Sequence, residues 1–165
     1  MSSEPEHALL APFVDLAAVV EPWLEHSVGA RPSHGIPAHV TLLYPCPDEP
    51  DGIAEVLAKT DAFDVDFREL RRFPEGVVYL APEQEEPFRE LTERLERRFP
   101  GWLPYRGEVE GVPHLTVAWG ERLDAAEEAV AAALPLYGRA REAVLLRHEA
   151  PERWEPVARF QFQES

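Results

Sequence analysis

The chain has 165 residues, 45% of them hydrophobic and 28% charged, which suits one packed domain, or two small lobes sharing a core, and excludes disorder. Acids outnumber bases 31 to 16, a formal net charge of −15, so no basic face is available to track a long DNA or RNA backbone. No apolar run approaches the ~20 residues of a membrane span. Met1-Ser-Ser-Glu-Pro-Glu lacks the basic-then-apolar order of a signal peptide, and the single cysteine, Cys46, suits a reducing compartment. The expected location is the cytoplasm.

In chain order, His7 to Leu10 is a short apolar strand. Asp15 to His26 reads as a helix capped by Asp15, with Leu16, Val19, Val20, Trp23 and Leu24 on one face. Pro22 inside it predicts a kink or a later start. Gly29 to Pro37 is a loop, Val40 to Tyr44 a strand ended by Pro45 and Pro47, Gly52 to Thr60 a helix and Phe63 to Leu70 a strand. The second half runs in the same order. Val77 to Leu80 is a strand, and Glu85 to Phe99 is an amphipathic helix with Phe88, Leu91, Leu95 and Phe99 on one face. Pro100 to Gly111 is a loop, Leu115 to Trp119 a strand and Leu123 to Leu134 a helix. Arg141 to Arg147 and Val157 to Phe162 are closing strands.

Two triplets occupy matching places in this order, His39-Val40-Thr41 and His114-Leu115-Thr116. The histidines stand 75 positions apart and the preceding helices begin 70 apart, so we read a tandem duplication about a pseudo-twofold axis. With six histidines and four threonines, random placement would give only about 0.15 such triplets. Residues i and i+2 of a strand share a face, so each histidine projects with its threonine while Val40 and Leu115 turn into the opposite layer. A twofold arrangement then gathers two imidazoles and two hydroxyls in one cleft. That set serves in-line attack at phosphorus. One imidazole takes a proton, the other gives one, and the hydroxyls donate to the equatorial oxygens.

Other readings of these residues are weaker. A lone histidine is more often a satisfied core residue, but a symmetric pair with matching threonines is not. Two histidines without a third ligand make a poor zinc site, so no metal or other cofactor is expected. Cys46, between Pro45 and Pro47, reads as a buried small residue and not as a nucleophile. Arg31, His34, Tyr105 and Arg106 precede the two motifs in equivalent loops and are the candidate substrate contacts. Arg153 is a further borderline candidate, whereas Arg71 and Arg72 read as surface charge. Tyr44 and Trp119 lie three residues past their motif threonines, so a regular strand turns both away from the cleft and into the core, unless a bulge at the strand end reorients them toward base stacking.

The paired motifs, His39-Val-Thr41-Leu42 and His114-Leu-Thr116-Val117, resemble those of the 2H phosphoesterase superfamily, which includes the 2′-5′ RNA ligases. His39-Val-Thr-Leu-Leu-Tyr-Pro45 is most like the first motif of the RNA ligase-like branch. In that branch a basic residue commonly follows the second motif, where this chain has Ala118-Trp119-Gly120. The resemblance implies a bilobal α+β fold, with two antiparallel sheets lining a central cleft and helices outside. By sequence repeat, lobe one spans about 7–72 and lobe two about 76–148, with a closing strand at 157–162.

The function expected is a metal-independent phosphodiesterase acting on 2′,3′-cyclic nucleotides or RNA ends, and so a part in RNA processing. His39 and His114 would be catalytic, with Thr41 and Thr116 on the phosphate. Its partner would be a small nucleotide or short RNA end, not a long nucleic acid or a membrane, and the chain would act as a monomer. The competing functions are a non-catalytic binding module for a nucleotide or phosphometabolite, and a 2′-5′ RNA ligase.

Overall fold

The structure is a computed structural model, and the residues it describes are 6–25, 37–102, 112–120, 122–149 and 153–164. Eight strands and four α-helices form an α+β fold. They run β1 (His7–Pro12), α1 (Ala17–Glu25), β2 (His39–Leu43), α2 (Pro50–Leu57), β3 (Phe63–Phe73), β4 (Val77–Pro82), α3 (Glu86–Arg98), β5 (Leu115–Trp119), α4 (Leu123–Ala131), β6 (Leu136–Ala140), β7 (Glu142–Glu149) and β8 (Arg153–Gln161). None of these helices is long and apolar enough to cross a membrane.

Local chemistry explains most boundaries. Pro50 opens α2, where its missing N–H costs nothing, and Glu86-Pro87 does the same for α3. Helix α1 starts at Ala17, after a turn of 3₁₀ helix over Val14–Leu16, and carries Pro22 inside it. Asp15 does not cap it. Its carboxylate accepts instead from the Arg139 backbone N–H and the Arg141 guanidinium, each at 3.1 Å, tying the start of the helix to the far edge of the sheet.

Where two sheets were expected, hydrogen bonding makes one antiparallel sheet in the order β6-β3-β4-β5-β2-β1-β7-β8. Four strands lie on each side of the β5–β2 seam, where Val40 is registered with Leu115. Joining the halves there spares each an exposed edge beside the motifs. The repeats are also interleaved. Strand β3, from the first repeat, pairs with β4 and β6 of the second, whereas β7 returns to pair with β1. The helices cross over in the same way: α1 packs on β5 and α3 packs on β2.

The main core lies between the sheet and these helices, and Phe13, Phe67 and Phe88 are its largest side chains. A second, smaller cluster of Ala8, Leu10, Val144 and Leu146 lies apart from it, with Tyr44 and Trp154 packed against it. Strand β1 is buried from His7 to Ala11 because its alternate residues serve both clusters: Leu9 and Ala11 the first, Ala8 and Leu10 the second. Strand β6 was not expected from the sequence. It is a five-residue edge strand, Leu-Tyr-Gly-Arg-Ala, with no clear alternation, and Gly138 within it lets Phe13 come close. A Cβ there would stand 2.7 Å from the Phe13 ring.

Candidate active site

His39 opens β2 and His114 directly precedes β5. Val40 and Leu115, the registered pair, are both fully buried in the core, so the motif residues flanking them project from the opposite face. An antiparallel pair centred there sets His39 alongside Thr116 and Thr41 alongside His114. Adjacent strands lie ~4.8 Å apart, so the four side chains share a patch two strands wide. All four are half-buried.

The two imidazoles are anchored identically. His39 Nδ1–H donates to the carbonyl of Pro37 at 2.7 Å, and His114 Nδ1–H donates to the carbonyl of Val112 at 2.7 Å. A carbonyl only accepts, so Nδ1 carries the hydrogen, and in the neutral ring Nε2 carries the lone pair. Each anchor reaches back two residues. Burial pushes His39 down to about 4, partly opposed by the Pro37 hydrogen bond and reinforced by the nearby His114. Burial lowers His114 as well, against its Val112 hydrogen bond. The electrostatic influence of His114 on His39 is what two rings facing one cleft should exert.

Directly after each motif threonine the strand bulges. Leu10 pairs with Thr41 and Leu9 with Leu43, leaving Leu42 unmatched; Tyr79 pairs with Thr116 and Val78 with Ala118, leaving Val117 unmatched. An extra residue reverses the alternation beyond it. Leu42 and Leu43 are accordingly both buried in the core, as are Val117 and Ala118. The Thr92 hydroxyl of α3 donates to the carbonyl of Leu42 at 2.9 Å, holding the first bulge.

The chain matches a known family. A model of the 2′-5′ RNA ligase superfamily matches residues 12–152. The chain belongs to that superfamily, the 2H phosphoesterases. Its fold is that of E. coli LigT, solved in complex with 3′-AMP, with a TM-score of 0.62 at 16% identity over 98% of this chain and 99% of that one. A protein of Thermus thermophilus superimposes at a TM-score of 0.61, with 21% identity over 99% and 100% of the two chains. A structure described only as a phosphoesterase gives 0.60 at 17% identity, covering 98% and 99%. No curated protein matches the chain.

Within this superfamily fold, the surroundings of the motifs differ from the sequence-based expectations at several points. Tyr44 was expected in the core. The Leu42 bulge and the bend after Leu43 turn it instead toward the cleft, where it lines a hollow with His39 and Thr41 and donates to Glu6 Oε1 at 2.9 Å. Trp119, past the matching bulge, is half-buried and packs on the main core. Three aromatic neighbours of the site were not expected at all. Phe73 and Tyr79 stand edge-on to His114, with ring centroids at 5.0 and 5.6 Å, and Trp154 borders the hollow beside His39. Strand β3 was expected to end at Leu70 and β8 to begin at Val157, so Phe73 and Trp154 fell outside any expected strand.

Arg31, His34, Tyr105 and Arg106 lie outside the described residues, and so does the side chain of Arg153. Arg71 is bound to Glu69 at 2.8 Å, and Arg72 to Asp124 at 2.6 Å and Glu127 at 2.9 Å, as surface charges. Cys46 is buried, and burial beside Asp48 and Glu49 pushes its thiol up to about 12, which leaves it protonated and inert. Among the described residues no group of three or more His, Cys, Asp or Glu side chains is placed to hold a metal ion.

Proposed function

We propose that the chain is a metal-independent phosphodiesterase that opens 2′,3′-cyclic nucleotides or processes short RNA ends as a monomer. The observation that carries this reading is the matched pair of imidazoles, each fixed through Nδ1 to a carbonyl two residues back and each presenting Nε2. In hydrolysis, one Nε2 takes a proton from the attacking water while the opposite Nε2–H protonates the leaving ribose oxygen. The P–O bond to water forms as the ribose P–O bond breaks. Thr41 and Thr116 donate to the non-bridging oxygens, where charge builds. Both imidazoles rest neutral near pH 7, and the bound phosphodiester anion draws a proton onto the one that acts as acid.

A small substrate also suits the charge of −15, because a local cluster of donors can hold one phosphate where an extended backbone would be repelled. LigT, the structural relative, has been crystallised with 3′-AMP, NADP+ and ATP, all small nucleotides. The test is turnover of adenosine 2′,3′-cyclic phosphate in the presence of chelator. Release of a single nucleoside monophosphate isomer at a chelator-independent rate is the expected result; no turnover, or turnover only with added metal, sinks the reading.

The pH dependence has a definite sign. The working free enzyme needs one neutral and one protonated imidazole, and kcat/KM reports the free enzyme. Since burial lowers both groups, the protonated member is lost at lower pH than for an ordinary histidine near 6.5. The kcat/KM maximum is therefore expected below about pH 6.5, with activity falling as pH rises. The alkaline limb of kcat should lie higher, since the bound anion favours the protonated ring. A kcat/KM maximum above pH 8 would contradict this account.

A further inference from the structure

Neither motif strand, β2 or β5, carries a lysine or an arginine, so a cation that meets the substrate comes from outside them. Strand β3 places one at the cleft. Tyr79 is registered with Thr116 on one side and with Arg71 on the other, and residues directly opposite on antiparallel strands project from one face. That face is the cleft: Val78 and Leu80, which flank Tyr79, are fully buried in the core, whereas the Tyr79 ring meets His114 edge-on. The neighbours of Arg71 alternate in the same way. Leu70 packs on the core and Arg72 reaches the acids of α4, while Phe73 meets His114. Arg71 is an exposed charge, but the surface it occupies is the rim of the cleft on the His114 side.

The equivalent place in the other half is apolar. Leu10 is registered with Thr41 and Val144, as Tyr79 is with Thr116 and Arg71, so Val144 holds the place of Arg71 and is buried among Ala8, Leu10 and Leu146. Two like motifs by themselves would accept a substrate lying either way across the cleft. A cation on one side breaks that equivalence.

The guanidinium is oriented to receive an anion. Glu69, on the same face, accepts from Nε at 3.2 Å and from a terminal nitrogen at 2.8 Å through a single carboxylate oxygen. This fixes the planar group and engages two of its N–H donors, leaving others for a ligand. Both members of the pair are exposed, so it adds little to stability and a phosphate meets little opposition in competing for the guanidinium. Distance selects which phosphate. Successive strands lie ~4.8 Å apart, so Arg71 stands about 10 Å from Thr116, beyond the scissile group and within a side chain's reach of a group one ribose away.

We propose that Arg71 is a specificity residue that binds a second phosphate of the substrate, the 5′-phosphate of a nucleotide whose 2′,3′-cyclic phosphate lies between the motifs. The assignment rests on the phosphodiesterase reading and deepens it. It sets the direction in which the substrate crosses the cleft, with its 5′ end toward β3. In a chain of net charge −15, it also supplies a local positive potential for a ligand with more than one phosphate.

The test compares kcat/KM for adenosine 2′,3′-cyclic phosphate with and without a 5′-phosphate, at low salt and in chelator. The wild type should favour the 5′-phosphorylated form about three- to thirtyfold, between the worth of an exposed ion pair and that of a charged hydrogen bond. Arg71→Gln should abolish or invert this preference, and Arg71→Lys should retain part of it. Because the readout is a ratio, a general loss of activity divides out. A wild-type ratio near or below one, or a ratio that Arg71→Gln leaves within twofold of wild type, overturns the contact and leaves the phosphodiesterase reading standing. The dinucleotide ApA ending in a cyclic phosphate offers the same group as a diester. Its loss of rate in Arg71→Gln marks an RNA end as the source, and a loss confined to the 5′-monoester marks a mononucleotide. If no substrate is turned over, the phosphodiesterase reading falls and calorimetric titration decides. Arg71→Gln then weakens adenosine 3′,5′-bisphosphate at least threefold more than adenosine 3′-phosphate if the contact is real, and a smaller difference overturns it.

Discussion

His39→Ala and His114→Ala are each expected to lower kcat on a 2′,3′-cyclic nucleotide by about 10²–10⁴-fold, the usual contribution of one general acid or base. The effect should fall on kcat more than on KM, because in the proposed mechanism the threonine hydroxyls, not the imidazoles, hold the phosphate. The double variant should lose far less than the product of the two single losses, since neither imidazole can work without its partner. Neither substitution should lower the melting temperature by more than a few degrees. Both rings are only half-buried, and the hydrogen bond from each to the carbonyl two residues back is local to its own strand start. Steady-state kinetics with thermal melts on the same preparations checks this. Full activity in either single variant would remove that histidine from the reaction.

Phe13→Ala should be the most damaging single change to stability, at about 3–5 kcal/mol. Phe13 is fully buried, meets Phe67 edge-on at 5.4 Å and Phe88 at 6.3 Å, and rests against Gly138 of the edge strand β6. Its loss leaves a cavity among β1, β3, β6 and α3 that other side chains cannot fill without moving the sheet. For a chain of this length that corresponds to a fall in melting temperature of about 6–20 °C. The Phe13 backbone N–H donates to the carbonyl of Ala38 at 2.8 Å, next to His39, and the alanine backbone retains that bond. Activity well below the new midpoint should therefore drop by less than about tenfold, a modest effect beside the catalytic losses above. A melting shift under about 3 °C would show that the core closes over the gap.

The face each motif presents was legible because that chemistry is local. The i, i+2 spacing of His39 with Thr41 and His114 with Thr116, on strands whose middle residue is buried, already places each pair on one face. What could not be read was anything that depends on which strand lies next to which. Tyr44 shows this most clearly: alternation counted along the chain points it inward, and only pairing with β1 reveals the unmatched Leu42 that reverses it. Phe73 lies 41 residues before His114, and Trp154 lies 115 residues after His39, so no local pattern links either to its motif. Each reaches the cleft because β3 and β7–β8 cross to join the opposite repeat.

The sequence by itself determined the order of strands and helices apart from β6, the two motifs and the alternation around each. It did so because backbone periodicity and hydrophobic burial act within a few residues. The tertiary structure alone decided that the halves share one sheet, that β3 and β7 cross between them, and that Phe73 and Tyr79 come to stand beside His114 and Trp154 beside His39. Those outcomes depend on hydrogen-bond register and side-chain volume between segments far apart in the chain, and no single segment encodes either.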